Sequence, residues 1–209
     1  MSRYTGPRNR IARRLGVNIF SSPKDPLVKR PNPPGMHINK RKKKSDYGVQ
    51  LTEMQKLKAV YGMITQKALV NTFHKALKKK GDTAQHLAEA LECRLDNVVF
   101  RLRFAISIFA AQQLVSHGHI LVNGKRVDIR SYIVKPGDKV SIKEASTKGK
   151  MAVLFQAAQA GCLHDVPAYL QLDESKFSGT RTGTPHIDEL AHPGVIDLRL
   201  VCQTLSNIS

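Results

Sequence analysis

Cysteine is scarce and scattered in this sequence. Cys93, Cys162 and Cys202 are the only three, and none stands in a C-x-x-C pair. Neither a disulfide framework nor a thiolate zinc site is indicated, and a reducing compartment fits best. Tryptophan is absent and aromatic residues are only 6% of the chain, which argues against the aromatic platforms that stack single-stranded nucleic acid. No apolar run approaches the roughly 20 residues of a membrane-spanning helix, and the N-terminus lacks the apolar stretch of a secretory signal. Acidic residues are few, 16 against 34 Lys or Arg, and no G-x-S-x-G, Walker loop, G-x-G-x-x-G or H-E-x-x-H motif occurs. Both absences argue against an enzyme. His186 with Asp188 and Glu189 imitates a metal or acid-base cluster, but residues 180–193 read as a polar loop.

Positive charge is what the chain has in excess. The net charge of +18 and pI near 10.1 describe a surface that attracts polyanions at long range, so nucleic acid or an anionic membrane is the expected partner. The excess is graded along the sequence. Residues 1–44 hold 13 Lys or Arg against Asp25 alone, a net of +12; residues 45–130 carry +6, and residues 131–209 are neutral. The electrostatic face is therefore strongest at the N-terminus. The 41% of apolar residues is enough to build a packed core over one large domain or two small ones.

The first 44 residues mix cations with turn formers (Gly6-Pro7, Pro23, Pro26, Pro31, Pro33-Pro34-Gly35) and read as an irregular arm with one short helix, partly anchored by Tyr4, Ile11, Leu15, Val17, Ile19 and Phe20. From Thr52 the apolar residues Met54, Leu57, Tyr61 and Ile64 recur at helical spacing, with Thr52 and Gln55 placed as a capping box. A second helix runs through Leu69, Phe73, Ala76 and Leu77 and stops after Lys78, Lys79 and Lys80 at Gly81, the cation-then-glycine ending of a helix C-terminus. Asp82 and Gln85 form another capping-box start. One apolar stripe from Leu87 to Leu102 then predicts a third helix, leaving Arg94, Arg101 and Arg103 available on other faces. A fourth, short helix lies between Ser107 and Gly118.

After Gly118 the period switches from 3.6 to 2. His119-Ile120-Leu121-Val122 and Lys125-Arg126-Val127 flank Asn123-Gly124, the dipeptide that tolerates positive φ at both centres of a type I′ hairpin turn. Another strand, residues 139–143, follows the turn Lys135-Pro136-Gly137-Asp138. Beyond Lys150 the sequence predicts a short helix over 151–160 and a strand-like alternation from Val195 to Leu205.

Phosphate contacts need cations spaced along a surface, and each one neutralised adds a salt-dependent term to affinity. Arg41, Lys42, Lys43 and Lys44 form one such cluster, and Lys78, Lys79 and Lys80 another. Any charge run has the bland reading of a solvated face, but these coincide with the arm and with a helix terminus beside the two-helix-and-hairpin unit. Within that unit Gln112, Gln113, Ser116, His117 and His119 supply donors and acceptors near the helix-to-strand turn, while Lys125 and Arg126 project from the hairpin. Such groups suit phosphate, 2′-hydroxyl and base-edge contacts on folded RNA. His117 is the better contact of the two histidines, since His119 begins the strand.

The stretch from Cys93 to Val127, above all Arg94-Leu95-Asp96-Asn97-Val98-Val99 and residues 113–124 (QLVSHGHILVNG), closely resembles the RNA-binding domain named after the small-subunit ribosomal protein four family. That module also occurs in pseudouridine synthases, some tRNA synthetases and a heat-shock protein of the large subunit. Arg3-Tyr4-Thr5-Gly6-Pro7, Pro33-Pro34-Gly35, Lys44-Ser45-Asp46-Tyr47-Gly48 and Gln55-Lys56-Leu57-Lys58 with Tyr61-Gly62 look like the ribosomal family itself, in order, over residues 3–144. A synthase would need a sizeable catalytic domain after the module, where 65 residues follow Glu144. A free stress or rescue factor would lack the 3–62 block.

The resemblance implies an α+β fold: a mainly helical domain with a basic irregular N-terminal arm, plus an inserted small RNA-binding module of two helices and a small antiparallel sheet. The boundaries expected are 1–44 for the arm, 45–91 for the helical domain completed by 150–209, 92–149 for the module, and 150–209 for a C-terminal segment. It implies a cytoplasmic ribosomal constituent, not an enzyme, that binds a multi-helix junction in the 5′ domain of 16S-type small-subunit rRNA early in assembly. The run at residues 41–44 would lie near the path by which mRNA enters, and the C-terminal part would abut a neighbouring small-subunit ribosomal protein in a contact that influences translational accuracy. Some relatives also repress their own operon. The RNA-binding set carried over is Tyr4, Arg13 and Arg14; the 41–44 run; Lys56 and Lys58; Lys78, Lys79 and Lys80; and Arg94, Gln113, His117, Gly118, Asn123, Lys125 and Arg126. No cofactor, membrane or small-molecule substrate is implied. Asn9 and Ala12 stand where zinc-binding relatives have cysteines, so no metal is expected. Met36-His37-Ile38 replaces the family's Gln-His-Gly, Arg103 replaces a customary Gly, and Ile108 and Gln112 replace basic positions of the short helix.

Overall fold

In a computed structural model, residues 4–20, 24–36, 43–146, 150–161, 164–173, 177–187, 190 and 196–208 are described. The chain divides into two compact units, Met1–Ala84 with His192–Ser209, and Gln85–Ala191.

The first unit is helical. The arm holds α1 (Arg8–Leu15), ended by Gly16 at φ +73°, and the single turn α2 (Pro26–Lys29), capped by Asp25. Two short helices thus stand where one was expected. Arg13 ties the arm together, its Nε donating to the carbonyls of Arg30 and Asn32 at 3.1 and 2.9 Å. Next come α3 (Asp46–Val60) and α4 (Gln66–Leu77), capped by the Ser45 and Thr65 hydroxyls accepting from Gly48 N and Ala68 N. The α3 helix therefore starts six residues before the expected cap at Thr52; that hydroxyl donates back to Gly48 O inside the helix. The terminal segment is also corrected. Leu198–Ser206 is a helix, α9, begun by the Asp197 carboxylate accepting from Arg199 N and Leu200 N, not a strand. Leu198, Val201 and Leu205 fall on one helical face and are buried where α9 packs on α3 and α4.

The second unit contains the small sheet. The single stripe expected over 87–102 is broken into α5 (Thr83–Glu92) and α6 (Leu95–Arg101), because Arg94 is extended, bridges Ile133, and is followed by Leu95 N donating to Tyr132 O. Then come α7 (Ile108–Ser116), capped by Ser107, and the strands β1 (Ile120–Val122), β2 (Lys125–Arg126) and β3 (Lys139–Ile142). Helix α8 (Lys150–Gly161) leads to β4 (Leu170–Asp173) and β5 (Ser178–Arg181). The five strands form one antiparallel sheet in the order β2-β1-β3-β5-β4. Two of the five thus come from the 150–209 stretch that the sequence reading assigned to completing the helical domain. Gly179 explains how β5 fits, since a Cβ there would fall on the Leu102 side chain: the glycine lets α6 lie close against the strand. Val98, Val99, Leu102, Ala111 and Val115 pack against Ile120, Val140 and Ile142 as the core, with Phe155 of α8 added at one end.

Candidate nucleic-acid interface

The hairpin of the second unit is built as the sequence requires. Asn123 and Gly124 have φ of +50° and +78°, and Val122 pairs with Lys125 across the turn. The Asn123 side chain is spent on holding this turn to β3: its amide donates to Asp138 Oδ1 at 2.8 Å and its oxygen accepts from Lys139 N at 2.9 Å. Asn123 thus shapes the hairpin from which Lys125 and Arg126, both exposed, project.

The α7-to-β1 turn supplies the other half of that face. His117 is exposed at the end of α7, and Gly118 takes the left-handed conformation, φ +72°. Gly118 has a second role, because a Cβ on it would strike the Arg126 guanidinium, which lies across the turn. The ring of His119 sits 6.1 Å from that of His117, with its Nδ1 2.9 Å from Ser146 Oγ. Burial, then the nearby charges of His117, Lys143 and Arg126, lower the His119 pKa. Four basic groups thus share one small surface: His117, His119, Arg126 and Lys143. Gln113 is exposed one turn earlier on α7. Lys143 was missed in the sequence, yet strand alternation points to it: Val140 and Ile142 are buried, so Lys139, Ser141 and Lys143 belong to the other side.

Arg94 is held differently. Its guanidinium makes a bidentate pair with Asp96, at 3.0 and 2.8 Å, and its side chain is 13% exposed. Asp96 also accepts from Gln112, whose oxygen accepts from Arg130. Arg94 is thus one end of a polar chain through Asp96 and Gln112 to Arg130, a cation the sequence reading did not single out. Arg101, read as available, is instead buried in an ion pair with Glu92, and Arg103 donates to His164 O and Asp165.

In the first unit, Lys43, Lys44 and Lys78 to Lys80 are exposed, while Arg41 and Lys42 lie outside the described residues. Lys56 pairs with Glu53 at 2.7 Å. Lys58 donates to Gln66 Oε1, and burial lowers its pKa. The Tyr4 ring folds back over Gly6. Arg14 is exposed, whereas Arg13 is committed to the arm's carbonyls and lines, with Arg10, Lys29 and Arg30, an open basic cleft of about 500 Å³. Among the described residues, no cluster of His, Cys, Asp or Glu has the makings of a metal site, and no helix is long and apolar enough to cross a membrane.

The chain is similar to known proteins over its whole length. Residues 3–92 match the ribosomal protein S4/S9 N-terminal domain, and residues 93–140 match the S4 domain. Proteins named small ribosomal subunit protein uS4 share 53% identity over 207 residues in Protochlamydia amoebophila, and 51% and 49% over 209 residues in Chlamydia trachomatis serovar D and Chlamydia pneumoniae. Each alignment covers 99% of both chains. With two family matches joined between Glu92 and Cys93 and about half of all residues shared over the full length, this chain belongs to the uS4 family of small ribosomal subunit proteins.

Proposed function

We propose that this protein is a non-catalytic constituent of the small ribosomal subunit that binds its 16S-type rRNA, working in the cytoplasm without a cofactor. The observation that carries this reading is the meeting of His117, His119, Arg126 and Lys143 at the α7-to-β1 turn. A hairpin and a helix end hold these groups in fixed relation, which suits the phosphates of a folded RNA better than an extended strand. The ligand in this reading is a multi-helix junction of the 5′ domain, and early binding there nucleates assembly. The arm, residues 1–44, adds phosphate contacts through Arg14 and its basic cleft, residues 41–44 lie by the path of incoming mRNA, and residues 150–209 meet a neighbouring ribosomal protein in a contact that affects translational accuracy. The module in this reading spans 92–149 and the helical domain 45–91, completed from within 150–209.

Arg94 acts here by shaping the face. Replacing it with Ala would leave the Asp96 carboxylate, 1% exposed, without its ion pair. The direct test is therefore His117→Ala with Lys125→Ala and Arg126→Ala, positions exposed enough to spare the core. Affinity for the junction RNA is expected to fall at least tenfold, and the slope of log K against log salt to flatten by roughly 0.7–0.9 for each phosphate that the protein no longer neutralises. Deleting residues 1–44 should flatten it further. Unchanged affinity and slope in the triple variant would remove the hairpin face from the RNA.

A further inference from the structure

Between this face and α8 lies a groove of about 290 Å³, with His117 and His119 at its edge. Its floor is apolar, formed by Phe104, Leu114 and Phe155, and its mouth is polar, formed by Gln113, His117 and His119. Phe104 and Phe155 are 1% exposed, so the floor is firm; Ile106, 54% exposed, forms an apolar lip. The wall contributed by α8 is made of small residues, Ala157 and Ala158, which keep the groove open.

We infer that the groove takes a single unpaired nucleobase, turned out of the bound RNA between α7 and α8. This rests on the hairpin face binding RNA. A volume just below the ~300–1,000 Å³ of pockets for drug-sized ligands suits one planar ring rather than a whole nucleotide. Charge complementarity chooses a base over an apolar protein side chain. Gln113 offers both a donor and an acceptor at the mouth, as the edge of a base requires, and an apolar side chain would leave both unsatisfied. His119 turns Nδ1 to Ser146, so its Nε2 is the ring nitrogen for a ligand. Arg126 and Lys143 stand next to His119, where the phosphates flanking an inserted base would lie.

The test uses the full chain and the junction RNA. Ala157, exposed on α8, is replaced by Phe to fill the groove without touching the core or any cation. Losing the apolar burial of one ring corresponds to a drop of about tenfold in affinity, with the salt slope unchanged. In parallel, each unpaired nucleotide of the RNA is made abasic in turn and bound to the unaltered protein, a measurement that needs no variant to fold. One abasic position is expected to weaken binding as much as Ala157→Phe does, with no further loss when the two are combined. If the filled variant binds normally while the triple variant of the hairpin face binds poorly, the base inference falls and the RNA face stands; loss of a protein neighbour in that case would assign the groove to protein. If no abasic position weakens binding, the inference falls even if Ala157→Phe binds poorly. Normal binding by both variants would overturn the face itself.

Discussion

Glu92 has no exposed surface, and its charge is tolerable there because donors converge on it. Arg101 gives Nη2 and Nε at 3.0 and 3.2 Å, Asn97 Nδ2 lies at 2.5 Å, and the Tyr169 hydroxyl donates at 2.7 Å. Burial and the neighbouring Glu92 charge push the Tyr169 pKa up, keeping the hydroxyl a donor. Removing one partner strands the other, so Glu92→Ala should cost about 3–5 kcal/mol of unfolding free energy, and Tyr169→Phe about 1–3; denaturant titration measures both. Equal, small losses would mean that the cluster is not the buried network described. Gly118 carries two constraints, its left-handed φ and the Arg126 guanidinium packed on it. Gly118→Ala should cost about 1–2 kcal/mol from the backbone and also weaken RNA binding by displacing Arg126, which paired thermal-melt and binding measurements would separate. The sequence carries Asn123-Gly124 and Lys125-Arg126 openly because turn chemistry is local. It hides the burial of Arg101 and the commitment of Arg94, because both depend on partners brought in by folding.

At the scale of elements, helices with a clear apolar period are legible and strands without apolar alternation are not. The α4 helix, the short α7 and the β1–β2 hairpin follow from residues within a few positions of one another, although α4 ends at Leu77, before the expected stop at Gly81. The β5 strand reads Ser178-Gly179-Thr180-Arg181, which has no apolar period, and its place is fixed by β3, β4 and the approach of Leu102. Val195 to Leu205 alternates enough to suggest a strand, but the Asp197 cap and the face packed on α3 decide for a helix over Leu198–Ser206. The break at Arg94 is equally non-local, set by pairing with Ile133. One connection carries a pH dependence. His164 places Nε2 3.0 Å from Phe100 O and its ring against the Phe100 ring, and burial lowers its pKa below the ordinary 6.5. The unfolded chain therefore binds the proton more readily. Stability from this site is full above about pH 6.5 and declines as pH falls through that value toward the lower folded pKa. The melting temperature of the native protein should drop more between pH 7 and 5 than that of His164→Gln. Parallel curves would exclude His164 as the source.

Over the whole molecule, charge is the most legible property. The +12 of residues 1–44 and the neutrality of 131–209 are plain in the sequence. The fold sorts those cations into different roles: Arg13 and Arg94 hold structure together, while Arg14, Lys125 and Arg126 face solvent. Lys143 joins the basic group at the α7-to-β1 turn only because β3 pairs with β1 and brings the basic end of the strand to His119. Composition thus narrowed the partner to a polyanionic surface, the family motifs selected RNA, and the address of each contact was in neither. The central claim, a ribosomal constituent held by rRNA, is tested most directly by quantifying the protein across a sucrose gradient of cell lysate in high salt. The expected result is co-migration with small subunits in stoichiometric amount. Absence from that peak, or trace amounts released by salt, would contradict it.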